Sequence, residues 1–175
     1  MIYTFRFVSD EEDDFIIDIN INHNQSLEEL HNTIQKTLNF EGNQLASFFT
    51  SNKEWEKLEE IPFVKMDETS KIEIMNELNI EDVCSEKEQN ILYIFDFFNE
   101  RLLFGKVIRT INAKSPIKLP SVSKLEGIIP KQIKEIPIDE DILSETDDFD
   151  NEFNDSCFNK DDFDNSDDFD YDSYY

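Results

Sequence analysis

The chain is poor in glycine, cysteine and histidine, and each shortage limits its chemistry. Of 175 residues only 3 are glycine, 2 are cysteine and 2 are histidine. Phosphate-binding loops need closely spaced glycines, and the common nucleotide-loop, zinc-protease and hydrolase motifs do not occur. Cys84 and Cys157 stand in unlike contexts, so we expect reduced thiols rather than a disulfide or a cysteine-based metal cluster. The sequence therefore predicts no cofactor and no metal site.

Basic residues and long apolar runs are also scarce. Lysine and arginine number 16 against 41 aspartates and glutamates, a formal charge of -25. Because such a surface repels a phosphate backbone, we expect no direct nucleic-acid binding. No apolar run approaches the roughly 20 residues that cross a bilayer, and the N-terminus lacks a signal-peptide pattern. We therefore expect a cytoplasmic protein that does not enter a membrane.

The acidic residues are concentrated at the C-terminus. Residues 138–175 contain 16 acidic residues and one lysine, and aliphatic residues nearly vanish after Leu143. Such a segment cannot bury enough apolar surface to offset the entropy of ordering it. The sequence predicts an α/β domain over residues 1–137 and a disordered acidic-aromatic tail over residues 138–175.

Single aromatic residues recur in this tail, among aspartates. Three copies of "DDFD" are centred on Phe149, Phe163 and Phe169, and Tyr171 follows the last. Their spacing matches no folded repeat, whereas acidic-aromatic alternation is typical of disordered segments whose rings enter a partner's groove. We predict that these four rings contact a protein partner. A merely solubilising terminus is the alternative.

Hydrophobic periodicity defines the elements of the domain. "IYTFRFV" and "FIIDINI" alternate with period two and predict a β-hairpin, and "SLEELHNTIQKTL" predicts a helix with a capping box formed by Ser26 and Glu29. "LASFFTS" predicts a third strand, and Asn79 can cap a helical turn up to Cys84. "NILYIFDF" is apolar on both faces and predicts a central strand. "RLLFGKVIRTI" returns beside it, with Gly105 marking a bulge or a close approach.

Two stretches show little periodicity. We expect irregular structure between Trp55 and Met75, where Pro62 breaks any regular element, apart from a short strand near Ile72 and Ile74. Residues 112–137 are expected to form an extended strap with no element of its own. The whole order predicts an α+β fold in which one principal helix covers one face of a mainly antiparallel sheet, with a mixed, β-grasp-like sheet as the alternative.

Several of these segments together resemble a known family. The "SLEELHNTIQKTLNFEGNQLASFF" and "LYIFDFFNERLLF" stretches, with Pro120, Gly127 and Pro130, resemble the plasmid pRiA4b ORF-3-like family, also described as insertion-element passenger proteins of a TnpR-like kind. The resemblance covers roughly residues 1–132 and suggests a short, divergent bacterial branch, since Asp96 is followed by "FFNER" rather than a Gly-Asp-Trp turn. It implies a compact α/β domain, an association of some relatives with mobile elements, and no established catalytic activity.

The TnpR-like description raises the possibility of a serine recombinase, which the residues do not support. Such an enzyme needs several arginines around a nucleophilic serine, to stabilise a phosphoryl transition state, and a cationic DNA-binding module. The chain has three arginines, Arg6, Arg101 and Arg109, each in or beside a predicted strand. We therefore reject recombinase activity.

Two polar residues are the best candidates for chemistry. His31 on the helix has a side chain that titrates near neutral pH, but a hydrogen-bonded boundary residue is the favoured interpretation. Asp96 ends an apolar strand, where burial could prepare it for acid–base work, but a turn role is favoured. His23 lies in a turn, Trp55 is expected at the edge of the core, and Cys84 has acidic neighbours that disfavour a thiolate nucleophile.

Three functions follow from these observations. The first is a non-enzymatic binding or adaptor domain whose tail engages a protein partner. The second is an enzyme of unknown type with a pocket near His31 and Asp96, between helix and sheet. The third is an acidic mimic of nucleic acid that binds a basic partner.

Overall fold

A computed structural model of the chain describes residues 1–42, 44–67, 71–84, 89–112 and 118–133. The strands in these residues are β1 (Ile2–Ser9), β2 (Ile16–Asn22), β3 (Ser47–Ser51), β4 (Lys57–Pro62), β5 (Asn90–Asp96), β6 (Arg101–Ile111) and β7 (Ser121–Glu126). The helices are α1 (Leu27–Leu38) and α2 (Ile80–Val83). The predicted tail, with Phe149, Phe163, Phe169 and Tyr171, lies outside the described residues, as does Cys157.

The strands form one sheet in the order β4-β3-β5-β6-β1-β2-β7. Every pairing between the described strands is antiparallel, so the expected antiparallel sheet is confirmed and the mixed alternative does not apply to them. Residues opposite each other in an antiparallel pair project to the same side of the sheet. The pairing register therefore defines two faces, which we call the inner face and the outer face.

The inner face forms the hydrophobic core. It is built by alternate residues of the strands, all of them buried: Tyr3, Phe5, Phe7, Ile17, Ile19, Ile21, Phe48, Ile91, Tyr93, Phe95, Leu103 and Val107. Helix α1 packs its apolar stripe on this face through Leu27, Leu30, Ile34 and Leu38, and α2 adds Ile80. Burying one such side chain contributes roughly 1.5–3 kcal/mol, so this face supplies most of the stability.

Helix α1 begins at the predicted capping box. The Ser26 hydroxyl accepts a hydrogen bond from the Glu29 amide (3.2 Å), and the Glu29 carboxylate accepts one from the Ser26 amide (3.1 Å). Two further amides of the first turn donate to backbone carbonyls of the segment before α2: Leu27 to Leu78 and Glu28 to Met75. The amides that a helix start leaves unpaired are thus satisfied partly by local side chains and partly by a distant segment.

Replacing the cap should weaken the domain measurably. Ser26→Ala removes the hydroxyl that holds the Glu29 amide, and we expect it to lower the free energy of unfolding by about 1 kcal/mol in urea titration. Thr33→Ala is the control, because its hydroxyl bonds back to the Glu29 carbonyl inside the helix, where alanine is at least as favourable. Equal effects of the two substitutions would contradict a role for the capping box.

The expectation of irregular structure after Trp55 is wrong for residues 57–62. These residues form β4, which pairs with β3 and ends the sheet on one side. Four of its six residues are exposed, because an edge strand beyond the helix meets solvent on both faces and shows no alternation. Pro62 is compatible with this strand since it stands at its last position on an edge.

The other two expectations for poorly patterned stretches are also wrong. Ile72 and Ile74 do not form a strand; their segment is held instead where the Met75 amide donates to the Pro62 carbonyl. The strap expected over residues 112–137 contains an element, because β7 pairs with β2 at the opposite edge of the sheet. Like β4, it is largely exposed, so its residues carry no periodic signal.

Candidate functional site

His31 lies in the interior rather than at a boundary. Its side chain is 3% exposed on α1 and stacks on the ring of Phe63, with ring centroids 4.6 Å apart. Its Nδ1 lies 2.8 Å from the hydroxyl of Tyr93, which also accepts a hydrogen bond from Gln35 Nε2 (2.6 Å). The expectation of a hydrogen-bonded histidine is correct, but its position is deeper, because Phe63 and Tyr93 come from segments far along the chain.

Burial determines the protonation states of this network. It lowers the pKa of His31 to about 4, so the imidazole is neutral near pH 7. Burial also raises the pKa of the Tyr93 hydroxyl, which the hydrogen bond from Gln35 only partly offsets. A neutral Nδ1 can accept a hydrogen bond from the Tyr93 hydroxyl. Gln35 Oε1 is buried without a hydrogen-bond partner among the described residues. The network is sealed from substrate and fits a structural role.

Asp96 occupies the β5–β6 turn, as expected. Its carboxylate accepts hydrogen bonds from the Asn99 amide (3.1 Å) and from Asn99 Nδ2 (2.8 Å). Burial raises its pKa, but the hydrogen bonds from Asn99 and the nearby Arg101 guanidinium outweigh burial and lower that pKa below its usual value. The carboxylate is therefore ionised near neutral pH, the opposite of what a proton donor needs. Its partners do not include those of His31, so the two candidates do not form one site.

Arg101 forms the most connected ionic group in the described structure. It is 7% exposed and makes a two-pronged pair with Glu11, with Nη2 2.7 Å from Oε2. It also donates to the backbone carbonyls of Lys131 (2.5 Å) and Gln132 (3.0 Å) and lies over the ring of Phe95. The remaining side of Nη1 faces the Asp96 carboxylate at 3.7 Å. Because these groups surround the guanidinium, Arg101 holds segments of the protein together and is not available to an anion.

The remaining sequence candidates carry little chemistry. His23 Nδ1 lies 2.9 Å from a carboxylate oxygen of Glu81 at the surface. Cys84 is buried, and burial raises the pKa of its thiol to about 12, which disfavours a nucleophilic thiolate. Among the described residues, no group of three or more potential ligands is arranged to hold a metal ion.

A cavity of about 630 Å³ lies between β4 and the segment that leads to α2. Its lining combines carboxylates with a few apolar side chains, and includes Glu59, Glu60, Ile61, Glu73, Asp82 and Val83. Among the described residues that line it, none has a strongly shifted pKa and none is a buried polar residue. We find no arrangement of catalytic groups there.

The outer face of the sheet has a different composition from the rest of the protein. One row of paired residues across five strands is apolar, and we call it the apolar row: Phe49, Leu92, Phe104, Val8 and Ile16. Next to it runs what we call the cationic row, across all seven strands: Lys57, Ser51, Asn90, Lys106, Arg6, Asp18 and Lys124. Both described helices contribute their buried residues to the opposite face.

Trp55 extends the apolar row. Its ring stands edge-on to the ring of Phe104, with centroids 5.2 Å apart, and Lys57 Nζ lies 5.6 Å from the ring centroid of Phe49. The Asn52 side chain shapes this turn by accepting hydrogen bonds from the amides of Glu54 and Glu56. Trp55 has φ +65°, which is unusual for a bulky residue and is the kind of backbone strain that accompanies functional positions. The expectation that Trp55 lies at the edge of the core is wrong, because its ring packs against Phe104 on the outer face.

The cations of the outer face stand out in a chain of net charge -25. Arg6 forms a two-pronged pair with Asp18, with both N–O distances 2.8 Å, and Lys124 pairs with Glu126. Lys106 and Arg109 make no ion pair with any other residue that the structure describes. Arg109 stands opposite Thr4, one row beyond the cationic row. In the two rows Leu92, Ser51, Asn90 and Asp18 are buried, whereas the rings of Phe49, Phe104 and Trp55 are half-buried and Lys57 and Arg109 are exposed. Unpaired cations beside partly accessible aromatic rings are features of a binding face.

The sequence profile of the plasmid pRiA4b ORF-3-like protein family matches residues 8–173. The chain belongs to this family. The matched range of this pRiA4b ORF-3-like chain extends through the acidic tail, so the expectation that the resemblance ends near residue 132 is wrong. The stretches that carry the resemblance end at Pro130, before the tail.

A solved structure confirms the fold of this pRiA4b ORF-3-like protein. It is similar to the crystal structure of a protein of unknown function from Methanosarcina mazei Go1, with a TM-score of 0.59 and 17% sequence identity. The match covers 71% of this chain and 68% of the other. No curated protein matches the chain. No helix in the described residues is both long and apolar enough to cross a membrane.

Proposed function

We propose that this protein is a non-enzymatic binding or adaptor domain of the cytoplasm whose binding surface is the outer face. The observation that carries the proposal is that the apolar row and the cationic row lie side by side on one face, next to the strained Trp55. The polar network around His31 supports the non-enzymatic part, because it is buried and neutral. The acidic tail adds a second contact to a protein partner through Phe149, Phe163, Phe169 and Tyr171.

The outer face is large enough for this role. Neighbouring strands are about 4.8 Å apart, so the cationic row spans about 29 Å across seven strands. The half-buried rings of Phe49 and Phe104 provide apolar contact area, and Trp55 provides an aromatic side chain of the type that dominates binding energies. A face without such groups would bind only weakly and without orientation.

Loss of the outer face should abolish partner binding without unfolding the protein. We expect the full chain, tagged and purified from its producing cells, to retain a defined set of proteins that Trp55→Ser with Lys106→Glu fails to retain. Lys36→Glu with Phe98→Ser is the matched control, because it makes the same changes of charge and polarity at exposed positions on α1 and in the β5–β6 turn, outside the two rows. Retained proteins would be quantified by mass spectrometry, with thermal unfolding as a check of folding.

Two comparisons test the outer face and the tail separately. A protein set that is identical for both double variants and the parent chain would refute the outer face as the binding surface. For the tail, serine replacements of Phe149, Phe163, Phe169 and Tyr171 should remove a separate subset of proteins. An unchanged set would refute the predicted contact of those rings and leave the outer face unaffected.

A further inference from the structure

We propose that the outer face binds an acidic segment of a partner protein that carries phenylalanine or tyrosine. This inference rests on the proposed function and names the chemistry of the partner. Charge complementarity is the first reason: Lys57, Lys106 and Arg109 form no salt bridge with any described residue. Of three carboxylates on this face, Asp18 and Glu126 are in salt bridges, and Glu60, opposite Phe49, accepts a hydrogen bond from Ser47. The surplus on this face is positive, although the chain as a whole is strongly negative.

Aromatic contacts are the second reason for naming this partner. Trp55 stands edge-on to Phe104, and Phe49 has a lysine over its face. Rings at a surface prefer further rings in tilted or offset arrangements, which contribute beyond the area that they bury. An acidic segment without rings would leave the apolar row in contact with charged side chains. A segment with rings satisfies both rows.

The spacing of the two rows fits an extended peptide that runs across the strands. The rows are two residues apart along each strand, about 6.6 Å. In an extended peptide, successive side chains point to opposite sides, so an Asp-Phe-Asp stretch lying between the rows directs its carboxylates to the cationic row and its ring to the apolar row. About nine extended residues match the width of the sheet.

A peptide fits this face better than a nucleic acid, whose chain would also bring negative charge to aromatic rings. A polynucleotide longer than the sheet is wide also meets the rest of a chain whose formal net charge is -25. A short peptide stays within the face, and charges farther away than about 8 Å are largely screened at physiological salt. The same screening makes binding of the peptide depend on salt.

The test measures binding of a labelled peptide to the full chain by fluorescence anisotropy. The probe is DDFDNSDDFDYD, compared with the same peptide in which each ring residue is replaced by serine and with a twelve-nucleotide oligothymidylate. The protein carries serine at positions 149, 163, 169 and 171, so that its own rings do not compete with the probe. We expect saturable binding of the aromatic peptide, weakened at least about tenfold by Lys106→Glu with Arg109→Glu and by Trp55→Ser.

The controls separate this inference from the proposed function. Lys36→Glu with Lys71→Glu should leave peptide binding unchanged, since both lysines lie away from the outer face. Absence of saturable binding, equal binding of the serine peptide, or tighter binding of the oligonucleotide would each overturn the inference. If the outer-face variants lose cellular partners but the peptide does not bind, the proposed function stands and only the partner chemistry is wrong.

Discussion

Gly105→Ala should destabilise the protein by about 2–3 kcal/mol, and Gly105→Val should prevent stable folding. A Cβ atom at this position would lie 2.4 Å from Cε1 of Phe7 and 2.8 Å from Cγ2 of Ile91, on the inner face. Both neighbours are fully buried, so their side chains or β6 itself must shift inside the core to admit a methyl group. Overpacking of a core in this way typically costs 1–3 kcal/mol for a small addition and more for a larger one.

The matched control for this prediction is Gly42→Ala, because a Cβ there has no atom within 4 Å. We expect its free energy of unfolding to stay within about 0.5 kcal/mol of the parent chain, as for other surface substitutions. Urea titration followed by circular dichroism measures both variants. Equal midpoints and slopes for Gly105→Ala and Gly42→Ala would show that β6 can move away from Phe7.

Acid should destabilise the protein through His31. The sign follows from the pKa, which burial lowers from 6.5 to about 4 in the fold. Between these pH values the unfolded chain binds a proton on His31 that the folded chain does not. The neutral imidazole therefore makes its full contribution to the free energy of unfolding above pH 6.5, and this contribution is lost as the pH falls towards 4. This decrease in the pKa of His31 corresponds to about 3 kcal/mol of unfolding free energy.

The comparison with His31→Leu isolates this effect from the many carboxylates, which both proteins share. We expect the free energy of unfolding of the parent chain to fall by about 3 kcal/mol more than that of the variant between pH 7 and pH 4. The variant will be less stable at pH 7, because the Tyr93 hydroxyl loses its hydrogen bond to the imidazole and Phe63 loses a stacked ring. Parallel pH profiles for the two proteins would show that His31 is not held neutral by the core.

The predictions that succeeded rest on information contained in short stretches. The alternation in β1 and β2 and the Ser26–Glu29 capping box are properties of neighbouring residues, so they could be recognised without the fold. The strands β4 and β7 could not, because solvent on both sides of an edge strand removes the alternation. The depth of His31 also depends on packing with Phe63 and Tyr93, which no local pattern encodes.

The outer face was missed for a related reason. Lys106 stands beside Arg6 only through the register between β6 and β1, which are about a hundred residues apart in sequence. Each cation alone looks like an ordinary exposed residue of a strand. The alternation of buried and polar residues along β1 and β6 was the available signal. Arg6 and Lys106 each lie between two inward-facing residues, so their side chains project from the outer face. Combined with the correct strand order, that pattern would have predicted a cationic face.

The position of β1 in the sheet has a consequence for the order in which the protein can fold during synthesis. The ribosome makes β1 and β2 first, and they can pair as a hairpin at once. Their other edges remain open until β6 and β7 emerge, after residues 111 and 126. Until β6 and β7 are made, the growing chain therefore exposes two unpaired strand edges, rich in phenylalanine and isoleucine, a state that favours aggregation and the binding of chaperones.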